Sequence, residues 1–319
     1  MPIVSPVERG PVLFVFLDGV GLGPPDASVN PFHAADLPNL TRLLEGRRLD
    51  AELGPFHGAQ ASFRPVDATL GVDGSPESAT GQAALLSGVN VARAIGGHYG
   101  PKPDARIRSI LEKENLVARL TRTGRTARLL NAYPDSYFEA IRSGRRLHGT
   151  VPLAFSLAGI ELATADELDR GRAVSADFTG RGWRTQLRRL DTPTMNPETA
   201  GRRMALLALE NDFTMFDHWP PDYAGHYGEM RGSVRLLEVL DRVLGGIAEV
   251  VERSRLTAIL LSDHGNVEDL SDKGHTRNPV PALVLGRPEA RERILAPLND
   301  LTGFAPAMLD WFTVGASQG

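Results

Sequence analysis

Two uninterrupted apolar runs constrain the fold of this chain more than any other feature of its sequence. Residues 12–17 read VLFVFL and end at Asp18, and residues 256–262 read LTAILLS and end at Asp263. Apolar runs without alternation are typical of strands that are buried on both faces, as in a parallel sheet. Three further strand-like runs occur at residues 125–131, 211–217 and 279–286.

Helical patterns lie between these apolar runs, at residues 37–44, 83–86, 107–120 and 234–251. Strands that alternate with helices predict an α/β fold, in which helices cover both faces of a doubly wound, mostly parallel sheet. We expect residues 1–319 to form a single domain of this type, with a small inserted lid at about residues 134–197. Ligands of such sheets bind beyond the carboxyl ends of the strands, where this sequence carries Asp18, Asp217 and Asp263.

The composition excludes several kinds of functional site. The 319 residues include no cysteine, which rules out disulfide scaffolds, cysteine-ligated zinc, iron–sulfur clusters and cysteine nucleophiles. The net charge of −4 offers no bulk attraction to nucleic acid or to an anionic membrane. The first ten residues lack the basic and apolar regions of a signal peptide, and the apolar run that follows is too short to span a bilayer. We therefore expect a soluble, cytoplasmic protein.

Two Asp–His pairs are candidates for binding a metal ion. Asp263 and His264 follow a predicted buried strand. Because consecutive side chains at a strand end point in opposite directions, the two residues would bind two different ions, or both would bind one ion if the chain turns. Asp222 and His226 are four residues apart and therefore face the same side of a helical turn. Carboxylate and imidazole together suit zinc or manganese. Each pair alone is also typical of a turn or capping Asp beside an exposed His.

Three weaker signals accompany these pairs. His275 lies shortly before an Asn-Pro turn and a predicted strand, and Asp18 ends the first apolar run. The sequence ESATGQAALLSG at residues 77–88 places hydroxyl groups before a helix predicted to start near Gly81, where backbone N–H groups suit an anion. A Ser or Thr before a helix is more often an N-cap. The glycines after Asp18 do not form a dinucleotide-binding pattern, because Pro24 stands where the third glycine is required.

Taken together, these five segments resemble the alkaline phosphatase superfamily, and their motifs are most similar to those of cofactor-independent phosphoglycerate mutase and phosphopentomutase. The resemblance covers residues 12–44, 76–90, 213–241 and 258–285. It implies an alkaline phosphatase-like fold with two metal sites. One site would be formed by Asp222, His226 and His275, and the other by Asp18, Asp263 and His264, with Ser78 at the second ion.

The resemblance also implies the nucleophile and the metals. In this branch of the family the nucleophilic Ser or Thr stands three residues before a glycine, which selects Ser78 over Thr80 because the glycine here is Gly81. Two divalent ions are implied, and the mixed ligand set favours Mn²⁺ or Zn²⁺ over Mg²⁺. Such an ion would lower the pKa of the Ser78 hydroxyl, and a phosphoserine intermediate would pass its phosphoryl group to water or to a substrate hydroxyl.

The chain between Ser78 and Asp222 is too short for the large cap domain that both mutases carry. We therefore expect first a phosphatase that acts on a small phosphorylated metabolite. The alternatives are a phosphomutase with a reduced lid, a phosphodiesterase or nucleotide pyrophosphatase on the same core, and a metal-binding protein without turnover. A sulfatase is disfavoured because the residues after Ser78 lack the Pro and Arg that it needs. The oligomeric state is not predicted.

Several other residues are candidates for contacts with the substrate. Arg277 lies beside the third predicted histidine ligand, and its guanidinium suits a phosphate. His98 lies in a glycine-rich loop, and Thr80 is the second hydroxyl near the predicted nucleophile. Gln82 occupies the position of a family histidine, where it can donate a hydrogen bond but cannot carry a proton. His218 is expected to be a packed residue.

Overall fold

Residues 9–313, the part of the chain that this computed structural model describes, form nine strands and fifteen α-helices. The strands are β1 (Val12–Leu17), β2 (Phe56–His57), β3 (Ala61–Val66), β4 (Ala127–Leu129), β5 (Ala132–Tyr133), β6 (Ala163–Thr164), β7 (Phe213–His218), β8 (Thr257–Ser262) and β9 (Val280–Leu285). The helices are α1 (Pro31–Ala34), α2 (Pro38–Leu43), α3 (Ser78–Ser87), α4 (Val91–Ile95), α5 (Ala105–Lys113), α6 (Leu116–Arg122), α7 (Asp135–Arg142), α8 (Thr150–Leu157), α9 (Ala165–Asp169), α10 (Arg181–Thr185), α11 (Pro197–Ala208), α12 (Pro220–Tyr227), α13 (Met230–Val251), α14 (Pro288–Leu295) and α15 (Phe304–Thr313).

Seven of these strands form one sheet in the order β2-β3-β9-β8-β1-β7-β4. β1 lies between β8 and β7 and pairs with both in parallel, and β4 extends the parallel part beyond β7. β3 runs in the same direction, because it is antiparallel to β9 and β9 is antiparallel to β8. Five of the seven strands therefore share one direction, which confirms the predicted α/β fold with a mostly parallel sheet.

The side chains of β1 explain why its sequence does not alternate. Because successive side chains of a strand point to opposite faces, every second residue enters a different core. One core receives Val12, Phe14 and Phe16, and the other receives Leu13, Val15 and Leu17. Both faces of the sheet are covered by helices, so all six side chains are buried. The carboxyl ends of β1, β7 and β8 meet at one edge, and the residues that follow them form the candidate site.

The direction of β9 differs from that of the other predicted buried strands. The run at residues 279–286 has the composition of a parallel strand, but β9 is antiparallel to both β8 and β3. Residues 263–279, which connect β8 to β9, include no helix, and a parallel return requires a crossover of a dozen or more residues, usually a helix. The connection instead stays at the carboxyl end of β8 and holds His275 and Arg277 there.

Two helix boundaries differ from the prediction. α3 begins at Ser78 with Glu77 as its N-cap, so the helix starts three residues before Gly81 and neither hydroxyl is the cap. The amphipathic stretch at residues 107–120 is two helices, α5 and α6. The break lies at Asn115, whose side-chain oxygen accepts a hydrogen bond from the backbone N–H of Val117 at 2.9 Å and so starts a new helix.

The segment at residues 134–197 contains α7 to α10 and β6, which pairs in parallel with β5 outside the main sheet. A third apolar cluster supports this region and consists of Ala132, Ala163, Ala165, Leu168, Ala173 and Trp183. The role of the segment as a lid stays a prediction. None of the helices within residues 9–313 combines the length and the apolar character needed to cross a membrane.

Candidate metal centre

Helix α12 and the β8–β9 connection bring three predicted ligands together. Asp222 and His226 lie one turn apart on α12, and Oδ1 of Asp222 is 3.4 Å from Nε2 of His226. The connection supplies His275, whose Nε2 is 3.4 Å from the same carboxylate oxygen and 3.0 Å from Nε2 of His226. One ligand atom from each residue therefore falls within a group less than 4.8 Å across, which is compact enough for a single ion.

The imidazole rings of the centre are oriented by the main chain. Nδ1 of His226 lies 2.7 Å from the carbonyl of Lys273, Nδ1 of His275 lies 2.8 Å from the carbonyl of Pro76, and Nδ1 of His264 lies 3.3 Å from that of Gly265. A carbonyl only accepts, so each Nδ1 is the protonated nitrogen and donates the hydrogen bond. Each Nε2 is then left as the metal-facing atom, an arrangement usual for histidines that bind metal ions.

A second group lies at the ends of β1 and β8. Nε2 of His264 is 3.4 Å from Oδ1 of Asp18 and 3.6 Å from Oδ2 of Asp263. Ligand atoms of Asp18, Asp222 and His264 lie within 4.8 Å of one another, so Asp222 reaches both groups. Oδ1 of Asp18 is buried and has no hydrogen-bond partner among the described residues, although a buried carboxylate oxygen normally has one. A cation between these groups would satisfy that oxygen.

The pKa values of the buried carboxylates show that this centre favours positive charge beside them. Burial raises the pKa of Asp18 well above its usual range, and the nearby carboxylate of Asp263 raises it further. Burial likewise raises the pKa of Asp263 to about 7, with a contribution from Asp222. Burial lowers the pKa of His264 to about 4. Crowded carboxylates beside a neutral imidazole are the donors that divalent transition metals prefer, so the residues present fit a two-metal centre.

The carboxylate of Asp222 and the ring of His275 form a charged pair in the chain alone. Burial opposes ionisation of Asp222, but hydrogen bonding to His275 and to Asn266 outweighs burial and lowers its pKa to about 2. Burial also opposes the charge on His275, but hydrogen bonding to Asp222 and its negative charge raise the pKa of the ring to about 9. The negative charge of Asp222 therefore favours positive charge at the position where the metal ligands converge.

Ser78 lies directly against the second group. It is the first residue of α3, it is 6% exposed, and its Oγ is 3.0 Å from Nε2 of His264. Thr80 is placed quite differently, because its hydroxyl donates to the carbonyl of Glu77 at 3.0 Å and accepts from the N–H of Tyr99 at 3.3 Å. The hydroxyls of Ser78 and Thr80 thus have separate environments, one at the carboxylate–histidine cluster and one in a network of main-chain hydrogen bonds.

Gln82 connects two of the carboxylates. Its Nε2 donates to Oδ2 of Asp18 at 3.3 Å and to Oδ2 of Asp263 at 3.1 Å. The side chain is buried and lies one turn along α3 from Ser78. The amide that replaces the family histidine therefore orients two predicted ligands, and it does so without adding a titratable group.

Sequence reasoning did not select Asn266, although it follows the Asp263-His264 pair by only two residues. Its Nδ2 donates to Oδ1 of Asp222 at 2.8 Å and thereby fixes the carboxylate that reaches both groups. The side chain passes close to α12, because a Cβ on Gly225 would lie 2.2 Å from its Oδ1. The polar residues that continue the motif after His264 were the available signal, but only the fold shows their target.

Glu268 was also missed, and it is fully buried behind the ligands. Its carboxylate accepts hydrogen bonds from the backbone N–H groups of Gly21 and Asn266, at 2.9 and 2.7 Å. It also accepts from the hydroxyl of Thr276 and from the amide of Asn278. One side chain therefore joins the loop after β1, the loop after β8 and the segment that carries His275.

Asp217, which the sequence placed at a strand end without a role, lies at the same edge of the sheet. Burial raises its pKa to about 7, with a contribution from the carboxylate of Asp263, and its Oδ1 has no hydrogen-bond partner among residues 9–313. The next residue, His218, is packed as expected. Its Nδ1 donates to the carbonyl of Ala176 at 3.0 Å, and burial lowers its pKa to about 4.

Two of the residues predicted to contact the substrate, Arg277 and His98, are not part of either group of predicted metal ligands. The guanidinium of Arg277 donates to the carbonyl of Gly74, in the loop before α3. His98 is half-buried, and burial lowers its pKa. The roles of these two side chains in substrate binding, like that of Thr80, stay predictions.

A protein-family model matches the part of the chain that contains both Asp–His pairs and His275. It is the model of the metalloenzyme superfamily, and the match covers residues 190–314. The match covers less than half of the chain, and this part of the chain is similar to members of that superfamily. The fold of the chain is alkaline phosphatase-like, and the resemblance expected from the five segments is confirmed.

Curated relatives match part of the chain. A 2,3-bisphosphoglycerate-independent phosphoglycerate mutase of Paracoccus denitrificans is 31% identical over 121 residues, which is 36% of this chain and 23% of that protein. The enzyme of the same name from Desulforudis audaxviator is 32% identical over 132 residues, which is 38% of this chain and 26% of that protein. The match therefore spans about a quarter of the length of each of these two relatives.

Solved structures share the fold across nearly the whole chain. An alkaline phosphatase from the Antarctic bacterium TAB5 has a TM-score of 0.50 and 12% sequence identity, covering 95% of this chain and 98% of that one. A protein from Pyrococcus horikoshii has a TM-score of 0.51 and 16% identity, covering 88% of this chain and 86% of that one. At such low identity these likenesses establish the architecture of the chain and leave its reaction open.

Proposed function

We propose that this metalloenzyme is a phosphotransferase that acts on a small phosphomonoester through Ser78. The observation that carries the proposal is the position of the Ser78 hydroxyl, 3.0 Å from Nε2 of His264 and beside a double group of carboxylates and imidazoles. A hydroxyl at such a centre suits nucleophilic displacement at phosphorus. The partner is a small phosphorylated molecule, with neither nucleic acid nor membrane involved, and the proposed location is the cytoplasm.

The residues of the chain have distinct tasks in this reaction. Ser78 gives its hydroxyl proton to water as its Oγ forms a bond to phosphorus and the bond from phosphorus to the ester oxygen breaks. The products are phosphoserine and an alcohol whose oxygen has taken a proton from water. The phosphoryl group then moves from Ser78 to an acceptor oxygen. Gln82 and Asn266 hold the carboxylates in place during both steps through the hydrogen bonds described above.

Two divalent ions would be held by the two groups of ligands, Asp222, His226 and His275 in one and Asp18, Asp263 and His264 in the other. Bound ions of this kind supply positive charge that lowers the pKa of a hydroxyl and neutralises phosphoryl oxygens. The donor set combines three imidazoles with three carboxylates, which favours Mn²⁺ or Zn²⁺ over Mg²⁺.

The acceptor of the phosphoryl group distinguishes a mutase from a phosphatase. The curated relatives reported above are both named phosphoglycerate mutases, which supports transfer to a second hydroxyl of the same substrate. The sequence alone favoured transfer to water, and we now rank intramolecular transfer ahead of it. The relatives match over about a quarter of their length, so their substrate is itself part of the proposal.

A phosphatase is the second candidate, and the exposure of the centre favours it. The side chain of His226 is 30% exposed and that of Asp222 is 20% exposed, whereas Asp263 and His264 are fully buried. One side of the centre is therefore open to water in this chain. An enzyme that must keep water from a phosphoserine needs a cover on that side, and the segment at residues 134–197 is the proposed cover.

The test supplies the full-length protein with Mn²⁺, Zn²⁺ or Mg²⁺ and follows three substrates. We expect 3-phosphoglycerate to isomerise with little release of phosphate if the enzyme is a mutase. Release of phosphate from 4-nitrophenyl phosphate at a comparable or higher rate identifies a phosphatase, and preference for bis(4-nitrophenyl) phosphate identifies a phosphodiesterase.

The Ser78→Ala variant must lose the activity, and Thr80→Ala serves as the matched hydroxyl control. Metal-dependent turnover that survives in Ser78→Ala would overturn the assignment of the nucleophile. Absence of metal binding, measured by calorimetry on the same preparation, would overturn the two-metal centre and the proposed function with it.

A further inference from the structure

A cavity of about 590 Å³ lies away from the metal centre, between the segment at residues 177–197 and helix α13. One wall contains Asp177, Thr179 and Arg181 and continues through Thr194 to Pro197, and the other contains Arg235, Leu236 and Arg242 of α13. None of the predicted metal ligands lines it. A cavity of this size accommodates a small organic molecule.

The arginines of this cavity leave positive charge without a counterion. Arg242 is paired with Glu198 through two hydrogen bonds of 2.6 and 2.9 Å. The side chains of Arg181 and Arg235 have neither an ionic nor a hydrogen-bond partner in the part of the chain that the structure describes. Both arginines are exposed, and each lines the same cavity from a different wall.

The single acidic residue that lines the cavity is engaged within its own loop. The carboxylate of Asp177 accepts hydrogen bonds from the hydroxyls of Ser175 and Thr179 at 2.6 and 2.8 Å. It also accepts from the backbone N–H groups of Gly180 and Gly182 at 3.2 and 2.9 Å. These four donors hold the carboxylate toward its own loop, and it forms no ion pair with either arginine within the described residues.

The loop that presents Arg181 is held in a strained shape. Phe178 has a φ of +64°, in the left-handed region that a bulky residue rarely adopts. Its ring is fully buried, with ring centroids 4.3 Å from His218 and 5.1 Å from Phe216. Strain of this kind persists where the surroundings fix it, and it is found often at ligand-binding positions. The loop therefore presents Thr179 and Arg181 from a rigid support.

We propose that this cavity binds the phosphate group of a phosphorylated small molecule, at a site separate from the metal centre. A phosphomonoester carries close to two negative charges at neutral pH, which matches the two unpaired guanidinium groups of Arg181 and Arg235. Arginine also presents donors in a fork that fits phosphate oxygens. The organic part of the ligand packs on apolar side chains that also line the cavity, among them Met195, Leu236 and Val239.

The experiment is a calorimetric titration of the full-length, Mn²⁺-loaded protein with phenylphosphonate, an uncleavable analogue of a phosphomonoester. Besides binding at the metal centre, we expect a second binding event that weakens roughly tenfold to a hundredfold in Arg181→Ala and in Arg235→Ala, because each variant loses a charge-assisted contact. Arg235→Lys should retain part of the affinity. Arg253→Ala is the matched control, since Arg253 is exposed, has no side-chain partner in the described chain and lies outside the cavity.

Two results would overturn the inference. One is unchanged binding of phenylphosphonate in both Arg181→Ala and Arg235→Ala, with folding of each verified by circular dichroism. The other is absence of the second binding event in the wild type, or equal binding of benzoate, which carries a single negative charge, in that event. A separate event that persists in these variants reports on the metal centre, so this inference and the proposed function are tested independently.

Discussion

Thr80→Ala should lower the stability of the fold and keep most of the turnover, whereas Ser78→Ala should lower the turnover and keep the stability. The hydroxyl of Thr80 is fully buried and takes part in two hydrogen bonds with the main chain, to Glu77 and from Tyr99. At about 1 kcal/mol for each hydrogen bond, Thr80→Ala should reduce the free energy of unfolding by about 2 kcal/mol. Because the hydroxyl of Thr80 forms hydrogen bonds with the main chain and none with the predicted metal ligands, Thr80→Ala should keep most of the turnover.

Ser78→Ala removes a hydroxyl whose hydrogen-bond partner is the ring of His264. No main-chain group loses its partner, so the free energy of unfolding should change by less than about 1 kcal/mol. Turnover should fall by at least about a thousandfold, because loss of a nucleophile removes the covalent pathway. Urea unfolding and initial rates of phosphoryl transfer, measured on the same preparations, give both quantities.

The reverse pattern would refute this reasoning. If Thr80→Ala abolished turnover at unchanged stability while Ser78→Ala remained active, the nucleophile would be Thr80 and the position of Ser78 against His264 would have been misjudged. Equal losses of turnover in both variants at equal stability would show that the first turn of α3 acts as a unit.

Three further predictions concern groups around the centre. Gln82→Leu should weaken Mn²⁺ binding about tenfold to a hundredfold in a chelator competition, since two carboxylates lose their common hydrogen-bond donor. Unchanged affinity would show that Gln82 does not position these ligands. Asn266→Ala should lower metal affinity by a similar factor because Asp222 loses the donor that orients it, whereas the control Asn211→Ala, before the opposite end of β7, should leave the affinity unchanged. The pKa of His218 is lowered to about 4, so the neutral ring stabilises the fold fully above about pH 6.5 and this stability is lost as the pH falls toward 4. Between pH 7.5 and 5, wild type should lose about 2 kcal/mol more unfolding free energy than His218→Phe, and equal losses would contradict the assignment.

The parts of the fold that were predictable depend on short-range patterns. β1 and β8 are recognisable because their residues are apolar on both faces, and the polar residues that follow them must then lie at one edge of the sheet. The placement of Asp18 and Asp263 near one another follows directly from parallel pairing in register. Local sequence carries this information because a strand has a fixed side-chain period.

The features that were not predictable depend on contacts between distant segments. The direction of β9 is set by the absence of a crossover helix from residues 263–279, which composition alone does not reveal. The roles of Asn266 and Glu268 depend on their hydrogen-bond partners, which lie on α12 and in the loop after β1. The helix predicted to start near Gly81 begins three residues earlier, at Ser78, and Gly81 lies in its first turn against Asp263.

The buried carboxylate of Glu268 has a consequence for how the enzyme acquires its ions. It ties together three loops that are far apart in sequence, through main-chain and side-chain donors that do not include the predicted metal ligands. The loops therefore do not need an ion to assemble them, and little ordering entropy opposes metal uptake. A chelator should thus remove the ions while the protein stays folded. In a cell that lacks the metal, the enzyme would remain folded and would become active as soon as the ions return.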